Sequence, residues 1–160
     1  MEKSSFFNSV SGDRKYKAED WASYFGSFIG NGVFPVPSTG LQVVVGSGMQ
    51  VTVKAGKAWI NGYFYNNTSD LSLTLATADG VLNRIDRIVV QWDLTNRIIS
   101  VKAKSSSYSA SPTAPAVERD ADIYELAIAD VYVSAGATTI TQSNITDRRY
   151  NTELCGIVVG

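Results

Sequence analysis

The sequence predicts a mainly β protein, an antiparallel β-sandwich or small barrel preceded by one N-terminal amphipathic helix. Three observations lead there. From residue 41 onward, short runs alternate apolar and polar residues, the period of a half-buried strand. One segment near the start instead repeats its apolar residues at helical spacing. Turn-forming pairs such as Asn61-Gly62 punctuate the runs. The 160 residues are 44% hydrophobic and 18% charged, which suffices to bury a core.

The helix is expected over Ala18 to Ile29. Trp21, Tyr24, Phe25, Phe28 and Ile29 fall on one face at 3.6 residues per turn, and Glu19 and Asp20 favour the positive end of the helix dipole. Gly30 and Asn31-Gly32 predict a left-handed stop, and Pro35 and Pro37 an extended linker. Residues 1–40 therefore read as arm, helix and linker, and 41–160 as the β domain.

Within that domain Leu41 to Val45, Val51 to Val53 and Leu71 to Leu75 predict strands, and Asn61-Gly62 joins Trp59-Ile60 to Tyr63-Phe64-Tyr65 as a tight hairpin. Arg84 to Asp93 is a longer strand that returns through Asp93-Leu94-Thr95-Asn96 into Arg97 to Lys102. The Ser- and Pro-rich stretch 105–115 marks a connection and a possible sub-boundary. A last long strand runs from Ile123 to Val133, ahead of a turn at Ala135-Gly136. The apolar end, Cys155 to Gly160, reads as a cut or as the start of a stalk.

The chemistry points away from catalysis. Histidine is absent, which removes the usual base for a serine or cysteine nucleophile and the commonest zinc ligand. Cys155 is a lone cysteine and reads as a structural thiol. No catalytic residue, metal ligand set or cofactor is assigned. Fourteen basic residues against fifteen acidic ones give a net charge of −1, so nucleic acid is not expected as a partner. No apolar run approaches the ~20 residues of a membrane-spanning helix, and the start lacks a signal-peptide pattern, so folding in a cytoplasm is expected.

Four groups of residues carry the remaining candidates. Glu118, Asp120 and Asp122 alternate and would share an edge, as a solvated face, a calcium site or, for Glu118 with Asp122, a glycosidase pair. Arg84 and Asp86 share a strand face and can pair, leaving Arg87 for a second carboxylate such as Asp130 or Asp147. The rival reading is a sugar- or anion-binding arginine. Trp59, Tyr63 and Tyr65 are either packing aromatics or sugar contacts, which makes a carbohydrate-binding module for cell-wall polysaccharide the alternative function. Phe6, Phe7, Trp21, Tyr24 and Phe25 form an aromatic set that must be covered by the chain's own sheet or by a neighbour.

Several motifs together resemble one family. They are Phe6-Phe7-Asn8-Ser9-Val10-Ser11-Gly12-Asp13-Arg14, Asn31-Gly32-Val33-Phe34-Pro35, Ala58-Trp59-Ile60-Asn61-Gly62-Tyr63, Arg84-Ile85-Asp86-Arg87-Ile88-Val89, Ile145-Thr146-Asp147-Arg148 and Asn151-Thr152-Glu153-Leu154-Cys155-Gly156. The chain is similar to the N-terminal structural modules of tail-tip, baseplate and fibre proteins from phages and prophages of Gram-positive bacteria. The resemblance implies a non-enzymatic virion component that anchors a fibre or receptor-binding protein for host attachment. It would be assembled in the host cytoplasm and carried on the tail. The expected partners are other tail or baseplate proteins and further copies of the chain. Proteins of this kind are usually trimers, so a homotrimer is expected, with Phe6, Phe7, Trp21, Tyr24 and Phe25 at or near its interface.

Overall fold

Asp20 turns back to accept the backbone N–H of Lys17 at 2.7 Å, and this opens the helix α1, Ala18–Gly26. The helix is shorter than its apolar period predicts. Phe28 and Ile29 both donate to the Phe25 carbonyl, and the cap at Ser27 is right-handed, in place of the expected left-handed stop at Gly30. The physical reason lies in Asn31, whose side-chain oxygen accepts Asn61 N–H at 2.7 Å and whose amide donates to Asn61 Oδ1 at 3.2 Å. Those bonds draw the chain off the helix axis and onto a hairpin turn.

The computed structural model describes residues 1–158, so the last two residues of the apolar end lie outside the described residues. It is 37% strand and 8% helix, and its three antiparallel sheets do not close into a barrel. The strands are β1 (Gly32–Val33), β2 (Val43–Val45), β3 (Gln50–Val53), β4 (Gly56–Ile60), β5 (Tyr63–Asn67), β6 (Leu71–Thr74), β7 (Arg84–Asp93), β8 (Ile98–Ser105), β9 (Ile123–Val133) and β10 (Ile145–Asp147). Their orders are β1-β4-β5, β2-β3-β6 and β10-β9-β7-β8. One apolar core joins all three sheets: Val51 and Val53 of β3, Ala58 and Ile60 of β4, Ile88 and Val90 of β7, and Leu126, Ile128 and Val131 of β9. Each of these is essentially inaccessible to solvent.

Two segments expected as connections make backbone hydrogen bonds at the sheets. Gly32–Val33 pairs with Trp59 and Ala58 of β4, although it falls in the predicted linker. The 105–115 stretch is tied to the start of β7: Ser106 donates to the Ile85 carbonyl at 2.8 Å, and Asn83 and Ser109 exchange backbone hydrogen bonds.

The pairing of β7 with β9 contains a bulge. Ile88 faces Ala129 and Val89 faces Ala127, so Ile128 is the extra residue. It resets the alternation of β9, so that Ala129, Val131 and Val133 on one side of the bulge and Leu126 on the other all join the core. Beyond β10 the chain returns along the first sheet. Val33 N–H donates to Gly156 O at 3.0 Å, Val158 N–H donates to Val33 O at 2.8 Å, and Ile157 bridges Val33 in parallel.

Candidate functional site

The arginines and aspartates at the start of β7 and on its neighbours pair with one another. Arg84 and Asp86 lie on the same face of β7, both about 1% exposed, with Nε to Oδ1 at 2.9 Å and Nη2 to Oδ2 at 3.1 Å. Arg84 also donates to the carbonyls of Ala76 and Thr77, so four of its five N–H groups have partners. Arg87 points to the other face and grips Asp130, its cross-strand partner, at 2.8 and 3.0 Å. Arg148 adds a third donor to Asp130 at 2.9 Å. Burial pushes the Asp130 carboxyl up, but the bonds from Arg87 and Arg148 outweigh it and hold the group below its ordinary range. Asp147 pairs with Arg149, whose Nη1 donates at 2.8 Å to the carbonyls of both Ser38 and Gly40. These bonds sew chain segments together and leave no guanidinium of this group facing an open cleft.

Two further buried ions were not legible as sites. Glu125, with 0% exposure, accepts from Lys104 Nζ at 2.6 Å, Gln91 Nε2 at 2.7 Å and Glu118 N–H at 2.8 Å. Arg149 is 4% exposed. Period-two spacing puts Gln91 and Glu125 on strands but says nothing of their register, and Arg149 lies in an irregular segment.

The aromatic residues divide between two surfaces. Phe6 stacks on Trp21 with ring centroids 4.1 Å apart and meets Tyr24 edge-on at 5.2 Å. Phe25 meets the Trp59 ring at 6.1 Å and 89°, and Trp59 leans on Phe64 at 6.2 Å. The arm, α1 and the β4–β5 hairpin therefore form one aromatic stack. Phe6 and Phe25 are engaged within the chain, whereas Phe7, Trp21, Tyr24 and Phe28 remain about half exposed. The fold-back of the arm gives Phe6 apolar partners within its own chain. The indole N–H of Trp59 is buried with no hydrogen-bond partner among the described residues, a cost of about 1–3 kcal/mol that the surrounding rings must offset.

The proposed sugar contacts are split. Trp59 pairs across the hairpin with Phe64, while Ile60 faces Tyr63 and Ala58 faces Tyr65. Tyr63 and Tyr65 thus share the core-side face and Trp59 the opposite one, so the three cannot form a single platform. The two tyrosines do open onto a groove of about 610 Å³ between the start of α1, β5 and the β7–β8 loop. Its walls include Trp92, whose ring lies 5.7 Å from Tyr63, and Leu94, Ile98 and Ile99. Lys17, Glu19, Asp93 and Arg97 supply charge of both signs. Asp93 holds the loop by accepting Asn96 N–H at 3.0 Å and Asn96 Nδ2 at 2.7 Å, bonds that keep its carboxyl below the usual range. Trp92 and Arg97 reach Tyr63 only through tertiary packing, a signal that local spacing does not carry.

The acidic triplet does not converge. Asp120 Oδ1 accepts the N–H groups of Asp122 and Ile123, both at 2.8 Å, which makes it a turn-forming residue. Among the described residues no group of three or more cysteine, aspartate or glutamate side chains is placed to hold a metal ion. Cys155 is buried, and burial pushes its thiol pKa up to about 12, so it stays protonated and packs as a small apolar side chain. No protein-family model, curated protein or solved structure matches this chain.

Proposed function

We propose that this protein is a non-enzymatic structural component of a phage tail or baseplate that anchors a fibre or receptor-binding protein to the virion. The observation that carries the reading is the exposed aromatic surface of the arm and α1. Phe7, Trp21, Tyr24 and Phe28 stand 59%, 49%, 48% and 51% exposed within 22 residues of chain, and the Tyr24 and Phe28 rings meet at 5.2 Å. A patch of that kind is suited to burial against another protein surface. The motif resemblance supports a tail module, and the buried charges support a structural role, because each named arginine and carboxylate of the central sheet is spent on internal pairing. The assembly we propose is a homotrimer held through this surface, located in the virion.

Particle fractionation tests the reading. Antibody against the chain should label tail tips of purified particles, and light scattering should give a trimer that dissociates when Phe7, Trp21 and Phe28 are replaced by polar residues. A chain found only in soluble extract, monomeric at high micromolar concentration, would sink it.

A further inference from the structure

The groove beside β5 touches Tyr63, Phe64, Tyr65 and Asn66, four consecutive residues of one strand. Successive strand residues point to opposite faces, so a cavity that meets all four must run along the strand's edge, where backbone groups lie. β5 is the outer strand of its sheet. The loop Asn61-Gly62 has two residues, with φ of 52° and 84°, the geometry of a type I′ turn that makes Ile60 and Tyr63 a hydrogen-bonded pair. By the alternation of an antiparallel ladder, Phe64 and Asn66 then turn their N–H and C=O groups away from β4, toward the groove side.

Two other edges of this protein are guarded. β1 has its outer side occupied by Gly156–Val158, and β8 carries Lys102 and Lys104. β5, Tyr-Phe-Tyr-Asn-Asn, has neither charge nor proline, the usual devices that discourage strand pairing.

We propose that the groove is a docking site for an extended peptide segment of another protein, which adds as a strand to the free edge of β5. The main-chain groups of Phe64 and Asn66 hold the segment, and one apolar side chain enters between Tyr63, Trp92 and Ile99. The lining cations Lys17 and Arg97 are balanced by Glu19 and Asp93, so the fitting segment carries no net charge. A second copy pairing through its own β5 brings the same lining segments with it, into space that these walls already occupy. The site stands independently of whether the chain is carried on a particle.

Selection from a displayed library of random twelve-residue peptides tests the proposal, followed by synthesis of the winner and titration into the isotope-labelled full chain. Enriched peptides should alternate apolar and polar residues and shift the amide resonances of Phe64 and Asn66. Asn66→Pro removes one outward N–H while leaving the β4 ladder intact, because proline is tolerated at such edge positions. It should weaken binding tenfold or more with the thermal midpoint preserved. If that variant fails to fold, N-methylation of alternate peptide amides delivers the same loss from the ligand side. No enrichment, or binding indifferent to both changes, overturns the proposal. So does self-association abolished by Asn66→Pro, which assigns the edge to a second copy, or a purified cell-wall oligosaccharide that shifts these resonances when no peptide does.

Discussion

Asp86→Ala will lower the thermal midpoint of unfolding by roughly 6–20 °C, the equivalent of about 3–5 kcal/mol for a domain of this size. The cause is not a lost attraction so much as a stranded charge. Arg84 is about 1% exposed, and its bonds to Asp86 raise its pKa above the ordinary value, so it cannot shed its proton. Without the carboxylate, the carbonyls of Ala76 and Thr77 are left facing a buried guanidinium that has lost its counter-ion. Replacing both partners, Arg84→Met with Asp86→Leu, should recover most of the loss, since neither charge then has to leave water. Calorimetry of the single and double variants decides the matter. An Asp86→Ala midpoint within a degree of the parent would refute the account.

The second large effect is expected at Gly62, where the turn touches the helix. A Cβ there would sit 1.9 Å from the carbonyl oxygen of Ala22 and 2.5 Å from its carbon, at a φ of 84°. Backbone stands on both sides, so no side-chain rotation relieves the overlap, and the left-handed conformation adds about 1–2 kcal/mol. Gly62→Ala should therefore push α1 off the hairpin. A nine-residue helix is too short to persist alone, so its amides will exchange on the order of 100-fold faster while those of β7 and β9 hold. Trp59 and Trp21 should shift to longer emission wavelength as Phe25 and Phe6 leave them. Unchanged exchange in residues 18–26 would show that the contact can be relieved locally.

The elements that were readable before the structure share one property: their signal is local. Ile123–Val133 and the Asn61-Gly62 hairpin follow from residue type and spacing. So does the sharing of one β7 face by Arg84 and Asp86, because two residues apart on a strand means the same side. What was not readable depends on register or on distant chain. The bulge at Ile128 resets β9 without an accompanying glycine or proline to announce it. Proximity in sequence groups Trp59 with Tyr63 and Tyr65, because it does not distinguish the faces of two paired strands. The helix ends early because Asn31 finds Asn61, 30 residues away. For the groove, only Tyr63 and Tyr65 were nameable in advance, since Trp92 and Arg97 arrive from another hairpin.

The parallel bridge between Val33 and Ile157 has a consequence for load. The two segments run the same way, so tension applied before Gly32 and after Val158 pulls them along their length in opposite directions. Their cross-links, Val33 N–H to Gly156 O and Val158 N–H to Val33 O, are then strained together rather than opened one after another like a zip. Gly32 keeps the two segments close, because a Cβ there would lie 2.7 Å from Gly156 O. Under a pull applied to those two ends, this short seam is the clasp that bears the strain before the sheets behind it.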